Sequence, residues 1–345
     1  SNAHGQMQGT CVHCGNCVIG CQVKAKNTLD LNYIPWAEKH GAEVRPLHVV
    51  RYIKPESGPG AGGYRVYFDR IVNAQLVPGS ESAKRVIVAA GSLGSTELLL
   101  RCRDQYKSLP RLSGFLGRNW SSNGDFMTPA TYDGRLVSPT EGVTISCAID
   151  FLTEDQSAQF FIEDGGSPNV LRNYLKSKDP GPKNPLARAA LKAIIELAGP
   201  DDPLSNVMPW FAQGIDAADG RLYLGRPWYA FWRKKQLRMY WDIERSKPLI
   251  TTIINMHKIL SAATGGRPHV PPYWTDFKSL VTPHPLGGCN MGVDAASGVV
   301  DHRGEVFGYP DLFVADGAIV PEALGLNPSR TIAALAERIA ALITD

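Results

Sequence analysis

The spacing of apolar and polar residues gives the first part of the chain a strand-rich pattern with two helices. The run 85–91 is almost continuously apolar and ends in a glycine, which predicts a buried strand that meets a tight turn. A helical pattern follows directly, so a strand, a turn and a helix are expected in succession. The predicted elements are a helix over 22–40 that is interrupted at Pro35, strands over 42–53, 64–68 and 85–91, a turn over 58–63, and a helix from Ser95 to Leu100.

The middle of the chain has a different pattern, and the pattern changes again after Pro283. Short alternating segments predict strands over 143–149, 159–162, 222–224 and 237–243, with a helix over 185–197. Glycine-dense sequence then returns, and an amphipathic helix is predicted over 327–343. We therefore expect an α/β (α+β) protein with two interleaved domains: 9–128 with 284–345, and 129–283 between them.

Composition narrows the class of protein. The chain has 345 residues, 43% of them hydrophobic and 20% charged, which is typical of a globular protein. A formal net charge of +3 gives no indication of a nucleic-acid partner, and no sufficiently long apolar run predicts a membrane span. The basic aromatic run 226–241 could contact a membrane surface or nucleic acid. A hairpin with Leu237, Met239 and Trp241 facing inward is the favoured interpretation.

Four of the seven cysteines lie close together, as Cys11-x2-Cys14-x2-Cys17-x3-Cys21. This spacing is that of one half of a bacterial ferredoxin motif, and zinc is a further alternative. However, Gln22 follows where ferredoxins have proline, and no second set of this kind exists. We favour thiols without a metal and assign no metal ligands. The clustered, odd-numbered cysteines indicate a reducing cytoplasm rather than a secreted disulfide framework.

Two short motifs near the C-terminus carry candidate chemistry. In the first, His284 stands on a proline-rich turn before Gly287 and Gly288, and we expect the glycines to bring backbone close to a ligand. In the second, Asn327 precedes Pro328, an arrangement that predicts an N-cap followed by proline at the first helical position. Imidazole titrates near neutrality, so His284 is a candidate general base.

Together these motifs resemble the C-terminal signature of the glucose–methanol–choline (GMC) flavin oxidoreductases, in particular their bacterial cholesterol-oxidase-like branch. The resemblance implies an FAD-dependent enzyme that oxidises a CH–OH group of a sterol or other hydrophobic alcohol by hydride transfer to the flavin. It implies that His284 accepts or orients the hydroxyl proton and that Asn327 is its polar partner. It also implies that 9–128 and 284–345 form an FAD-binding, Rossmann-type domain and that 129–283 form a mainly antiparallel substrate domain.

The resemblance further implies which residues contact the cofactor. Val50 would contact the adenine through its backbone, and Gly91 would lie at the end of a strand beside the cofactor. Asp316 and Gly317 would follow the ribityl chain and the pyrophosphate. The amino end of the last helix, with Pro328 and Ser329, would face the pyrimidine end of the flavin, where its partial positive charge stabilises an anion.

Two departures from the family pattern limit these expectations. The chain has no strand–Gly-x-Gly-x-x-Gly–helix near its start, so we expect this fragment to hold FAD weakly or not at all, to self-associate through exposed apolar surface and to be inactive alone. Sterol oxidases of this branch also use a glutamate, but no acid stands near 207–210, and Glu163 and Asp164 lie in another strand. A non-catalytic substrate-binding fragment is therefore an alternative.

Overall fold

The structure is a computed structural model. It describes residues 1–56, 62–153, 158–176, 204–226, 229, 232–276 and 278–344. Its class is mixed α/β, as predicted, with several antiparallel sheets. Within the described residues, no helix is both long and apolar enough to cross a membrane. The predicted helix over 185–197 and most of the predicted turn over 58–63 lie outside the described residues.

The chain divides into two compact units, each built from three separated segments. The first unit contains Ser1–Val44, Asp125–Gln213 and Ile250–Val281. The second contains Arg45–Gly124, Gly214–Leu249 and Thr282–Asp345. Residues 9–44 lie in the first unit with most of 129–283, whereas the sequence grouped them with 284–345. Residues 214–249 lie in the second unit with 284–345, whereas the sequence grouped them with the rest of 129–283. The assignment of cofactor and substrate to two domains stays a prediction.

The second unit is built around three small sheets. Strands β1 (His48–Pro55), β2 (Tyr64–Val72) and β3 (Gln75–Ala83) form an antiparallel meander, and β4 (Val86–Val88) pairs in parallel with β12 (Leu312–Val314). Strands β9 (Arg221–Gly225) and β10 (Gln236–Tyr240) form an antiparallel hairpin. The helices are α2 (Gly91–Leu100), a π-helix (Arg101–Gln105), a 3₁₀ turn (Gly317–Ile319) and α6 (Ser329–Thr344).

One hydrophobic core holds the second unit together. Fully buried side chains from α2, such as Leu99, meet Leu312 and Val314 of β12 and Ile339 of α6. Leu312 pairs with Val86, so the strand predicted over 85–91 lies in one sheet with a segment more than two hundred residues later in the chain. Helix α6 packs through a single apolar stripe, as its pattern predicts.

The first unit contains a five-stranded sheet with the order β11-β5-β8-β7-β6. A buried contact fixes one end of this sheet, where Phe126 packs edge-to-face on Trp274 with ring centroids 5.5 Å apart. The strands are β5 (Phe126–Thr131), β6 (Ala148–Asp150), β7 (Phe160–Asp164), β8 (Val207–Gly214) and β11 (Arg267–Pro268). The helices are a 3₁₀ turn (Leu29–Leu31), α1 (Tyr33–Lys39), α3 (Asn169–Lys176), α5 (Pro272–Thr275) and the later part of α4 (Ile243–Ala263), whose first residues belong to the second unit.

Several predicted elements differ from the observed ones. Helix α1 is much shorter than the predicted 22–40, and Pro35 lies in its first turn, where a missing N–H leaves no helical hydrogen bond unmade. The predicted strand over 143–149 is reduced to β6. Strand β3 was not predicted, because the turn before it uses Asn73 and Ala74 at positive φ without a glycine.

Two predicted side-chain placements also need correction. The run 226–241 contributes only strand β10, which forms a hairpin with the preceding strand β9. Met239 is 47% exposed and does not face inward, whereas Leu237 and Trp241 are partly buried. Helix α6 begins at Ser329, and the carbonyl of Pro328 accepts its first hydrogen bond, from the amide of Ile332 at 2.9 Å. Pro328 therefore occupies the cap position, and Asn327 stands one residue before it.

Candidate active site

The segment that carries His284 is fixed along its length by the 3₁₀ turn at 317–319. The amides of Gly287, Cys289 and Met291 donate to the carbonyls of Gly317, Ala318 and Ile319 at 2.8–2.9 Å. His284 lies three residues before the first of these bonds, is partly buried, and donates through its backbone amide to Thr282 Oγ1 at 2.9 Å. The histidine is thus held on rigid backbone rather than on a free loop.

The two glycines of this motif bring the backbone close to protein atoms. A Cβ atom on Gly287 would lie 2.0 Å from the Asn119 carbonyl oxygen, and one on Gly288 would lie 2.2 Å from Thr96 Oγ1. Both glycines have positive φ, so a side chain would be strained as well as obstructed. Their absent side chains let the motif pack on helix α2 and on the 119–123 segment. That their backbone also lies close to a ligand stays a prediction.

One short segment is hydrogen-bonded to both candidate catalytic loops. Ser121 exchanges two backbone hydrogen bonds with Leu286, two residues after His284, at 3.0 and 3.1 Å. Asn123 is fully buried; its Oδ1 accepts from the amides of Leu324 and Gly325 at 2.9 and 3.0 Å. Its Nδ2 donates to the Leu326 carbonyl at 2.9 Å. Segment 121–123 therefore connects the His284 motif with the loop that leads to Asn327.

Asp216 in turn fixes segment 121–123. Its carboxylate accepts from Ser121 Oγ at 2.8 Å, from the Ser122 amide and Oγ at 2.9 and 2.8 Å, and from the Gly124 amide at 3.4 Å. The Ala218 amide is a fifth donor, at 2.9 Å. The residue is 7% exposed, so these bonds are shielded from water. Neither Asn123 nor Asp216 was singled out from the sequence; the polar run at 121–125 was the only available signal.

Asp316, a predicted cofactor contact, has its carboxylate engaged by protein donors. Oδ2 accepts from the Gly91 amide at 2.9 Å and from the hydroxyl of Ser95, and Oδ1 accepts from the Ala318 amide at 2.8 Å. It joins the start of α2 to the end of β12. Gly317 is buried too, with Ile332 Cδ1 3.1 Å from the position of an added Cβ. Both residues shape the turn, and a cofactor role for them stays a prediction.

Other predicted cofactor residues present accessible surface. Gly91 has φ +76° and no heavy atom within 4 Å of an added Cβ, so open space adjoins the amino end of α2. Ser329 is exposed at the start of α6, after the buried Pro328. Val50 is 43% exposed on β1, which is an edge strand of its sheet. Gly91, Val50 and the amino ends of the two helices fit a flat cofactor that carries anionic groups.

The cysteines have sharply different environments. Burial raises the pKa of the Cys102 thiol to about 11 and that of the Cys289 thiol to about 12, so both are unreactive packing residues. Cys21 Sγ accepts from the amides of Ala25 and Lys26 at 3.1 and 3.5 Å, and the bond from Lys26 is the main cause of its lowered pKa. Among the described residues, which include the Cys11–Cys21 motif, no group of three His, Cys, Asp or Glu is placed to hold a metal ion.

The sheet of the first unit contains one buried acid. Glu163 of β7 is 5% exposed, and its Oε2 accepts from Gln213 Nε2 of β8 at 3.2 Å. Residues 207–210 carry no acid, as the sequence shows, so Glu163 is the carboxylate that the fold places beside that strand.

Residues 231–336 match the family model described as GMC oxidoreductase. This match includes the His284 and Asn327 motifs and confirms the resemblance to the GMC oxidoreductases that the sequence predicts.

Two groups of curated relatives share most of the chain. It is 30% identical to a cholesterol oxidase of Acinetobacter baumannii over 98% of its own length and 62% of that protein. It is 29% identical to a cholesterol oxidase of Mycobacterium tuberculosis, over 96% and 58%. A long-chain-alcohol oxidase of Arabidopsis thaliana is 24% identical over 93% of this chain and 45% of that protein. The chain therefore spans about three fifths of the cholesterol oxidases that it matches.

A solved structure shows the same fold at lower sequence similarity. The crystal structure of pyridoxine 4-oxidase from Mesorbium loti superposes with a TM-score of 0.54 at 18% identity, covering 86% of this chain and 57% of that one. At this identity the likeness supports the architecture alone.

Proposed function

We propose that this chain is part of an FAD-dependent oxidoreductase that oxidises the CH–OH group of a hydrophobic alcohol. The observation that carries the proposal is the dual attachment of segment 121–123, which holds the His284 motif through Ser121 and the loop before Asn327 through Asn123. Relatives named cholesterol oxidase and long-chain-alcohol oxidase support the same reaction class.

His284 accepts the hydroxyl proton in the proposed reaction. The O–H bond of the alcohol breaks as its proton passes to the imidazole, while the carbon loses a hydride and becomes a carbonyl. When bound, FAD supplies the hydride acceptor. The hydrogen bonds at 286–291 support this role because they fix the backbone that follows His284; imidazole is the side chain that most often serves as a general base.

Asn327 orients the substrate oxygen in this proposal, and the helix that follows it contributes charge. The amino end of α6, at Ser329, carries partial positive charge from unpaired amides, which favours an anionic group nearby. Gly91, at the amino end of α2, offers a second contact of this kind. Val50, Asp316, Gly317 and Pro328 complete the proposed set of cofactor-lining residues.

The proposed substrate is an alcohol with a large apolar body, of the sterol or long-chain type. The sheet of the first unit supports this class, since Met127, Phe161 and Phe211 are apolar side chains that remain partly exposed on adjacent strands β5, β7 and β8. Apolar surface of this kind gains free energy on covering a hydrocarbon body. No nucleic-acid partner is proposed.

A substrate panel tests the proposal. The FAD-loaded protein of which this chain is proposed to be part, rather than the chain alone, is mixed with cholesterol, 1-hexadecanol and ethanol. Turnover is followed both by oxygen consumption and by reduction of an artificial electron-accepting dye. We expect turnover of at least one of the two hydrophobic alcohols and far less of ethanol. Loading with FAD but no electron transfer from any alcohol to either acceptor would contradict the proposal and favour a non-catalytic binding fragment.

A further inference from the structure

A cavity of about 590 Å³ lies in the second unit, beside the β1–β2–β3 meander and apart from the His284 motif. Its walls come from the meander, from the π-helix that follows α2, and from the residues that precede β10. Its volume falls within the range of small-molecule sites in proteins. None of the proposed catalytic residues lines it, although Val50 lies on its wall.

A ladder of three tyrosines forms one side of this cavity. Tyr52 stacks on Tyr67 with ring centroids 4.3 Å apart and on Tyr106 with centroids 4.2 Å apart, at interplanar angles of 11° and 21°. Two stacked rings so close to Tyr52 must lie on its opposite faces, so only the outer rings can accept a further ring. Tyr106 is 38% exposed. A planar aromatic ligand could therefore extend the ladder by the same offset stacking.

The backbone that positions Tyr106 is unusual. Residues Arg101–Gln105 form a π-helix, and the Tyr106 amide donates to the Arg101 carbonyl at 2.8 Å. Arg101 Nη1 also donates to Gln105 Oε1 at 2.9 Å, so both side chains are held at the cavity wall. Such wide turns are rare and occur frequently at functional sites, which gives this wall a role beyond packing.

The cavity lining is positively charged overall. It has four cationic side chains and a single carboxylate, that of Asp69, which pairs with Arg51 at 2.6 Å. Arg101 pairs with Glu97. Lys234 and Lys235 are exposed, and in the described part of the chain neither forms an ion pair. The bond with Arg103 is the main cause of the lowered pKa of nearby Asp104, and the charge of Lys235 contributes to it, so Asp104 is close to Lys235 without pairing with it. Two lysines outside ion pairs beside an aromatic ladder favour a ligand that is both flat and anionic.

We propose that this cavity binds a planar aromatic anion, whose ring extends the tyrosine ladder and whose anionic group lies near Lys234 and Lys235. The ligand is a second small molecule, distinct from the alcohol and from FAD. The site does not depend on the proposed oxidation, and its binding can be measured in the chain without cofactor.

Isothermal titration with three matched probes tests the ligand class. We expect 2-naphthoate to bind at a single site, and its neutral analogue 2-naphthamide and the non-aromatic cyclohexanecarboxylate each to bind about tenfold more weakly. Naphthoate binding should also weaken as salt is raised. Because the family resemblance associates Val50 with adenine, AMP is a fourth probe. Binding of AMP without binding of naphthoate would overturn the proposal, since the cavity would then be a cofactor subsite.

Paired variants locate the binding in this cavity. Tyr106→Leu should weaken naphthoate binding about tenfold, whereas Tyr240→Leu, which removes an exposed tyrosine outside the cavity, should leave it unchanged. Lys235→Gln should weaken naphthoate binding several-fold, leave naphthamide binding unchanged, and contrast with the control Lys84→Gln. Lys235 is exposed, so this test holds even if Tyr106→Leu folds poorly. Wild-type affinity in both Tyr106→Leu and Lys235→Gln would overturn the assignment.

Discussion

Buried polar groups in the described part of the chain are fully hydrogen-bonded in one region of this molecule and lack hydrogen-bond partners in another. In the second unit, the carboxylate of Asp216 accepts five hydrogen bonds from segment 121–124 and Ala218. In the first unit, Thr128 Oγ1, Trp210 Nε1, Gln213 Oε1 and both ring nitrogens of His257 are buried without a hydrogen-bond partner among the described residues. The contrast is between the surroundings of Asp216 and this group of atoms, not between the whole units, because the second unit also has buried atoms without a described partner, at Trp120, Asp219, Trp241 and Asn290.

Hydrogen-bonded polar groups hold the backbone in place, whereas unpartnered polar atoms can still bind a water or a ligand. A buried polar atom without a partner costs about 1–3 kcal/mol, a cost that an internal water or a ligand removes. The saturated region around Asp216 keeps the two candidate catalytic loops in fixed positions. The unsatisfied atoms of the first unit lie on and beside the sheet proposed to contact the substrate. Removing a polar side chain should therefore lower the free energy of unfolding around Asp216 but not at His257.

The largest effect is expected for Asp216→Leu, which removes the acceptor of five donors in a water-excluded site. We expect the free energy of unfolding in urea to fall by about 3–5 kcal/mol, because several donors are left buried and unpaired. Asp294→Leu is the control, since Asp294 is an exposed acceptor of local turn bonds and its loss should have a much smaller effect. Equal losses in the two variants would show that the hydrogen bonds of Asp216 stabilise the fold no more than the local turn bonds of Asp294.

Asn123 tests the saturated region at a second point. Asn123→Ala removes three hydrogen bonds to residues 324–326 and should lower the free energy of unfolding by about 2–3 kcal/mol. Asn123→Asp keeps the acceptor for two amides but sets a buried carboxylate oxygen against the Leu326 carbonyl, so its loss should be at least as large. In the FAD-loaded form, Asn123→Ala should also lower the turnover number while flavin content stays constant. Full activity in Asn123→Ala would separate this residue from the catalytic loops.

A substitution of His257 probes the polar atoms of the first unit that have no described partner. In contrast to Asp216→Leu, it should not lower the free energy of unfolding. Burial lowers the pKa of His257 to about 3, whereas the unfolded chain titrates near 6.5. Between these values the unfolded state binds the extra proton, so the stability that His257 contributes is full above about pH 6.5 and is lost as the pH falls toward 3. The loss should reach about 2 kcal/mol by pH 5.

His257→Leu should therefore remove part of the acid sensitivity and leave stability at pH 8 unchanged or higher, because an apolar side chain replaces two unpartnered nitrogens. The measurement is the free energy of unfolding in urea at pH 5 and pH 8. His302→Leu, at an exposed position, is the control. A pH dependence identical to that of the wild type would mean that His257 has partners, such as internal waters, that satisfy it.

The Cys11–Cys21 motif, whose cysteines are exposed or partly buried, should show the smallest effect on stability. Cys21→Ser should change the free energy of unfolding by less than about 0.5 kcal/mol. Because amide donors lower the pKa of Cys21 while burial raises that of Cys147, iodoacetamide at pH 7.5 should alkylate Cys21 well before Cys147, and Cys102 and Cys289 last. Peptide mass spectrometry at successive times gives this order. Modification of Cys147 ahead of Cys21 would contradict the environments described here.

The sequence predicted what depends on local pattern and missed what depends on distant contacts. The apolar run 85–91, the strand within 237–243 and the C-terminal helix were all predicted, because burial imposes a period on neighbouring residues. The role of Asp216 could not be predicted, because its serine partners precede it by 94 and 95 residues. Gly287 and Gly288 were recognised as sites of close approach, but periodicity cannot tell whether the neighbour is a ligand or the protein itself.

The central claim is that His284 takes the alcohol proton during oxidation. The direct test is anaerobic mixing of hydrophobic alcohol with wild-type protein and with His284→Gln, in the form of the protein that retains FAD, while the visible flavin absorbance is recorded. We expect the wild-type bands to bleach and the His284→Gln rate to be slower by on the order of 10²–10⁴-fold at equal flavin content. Bleaching at the wild-type rate in His284→Gln would contradict the account.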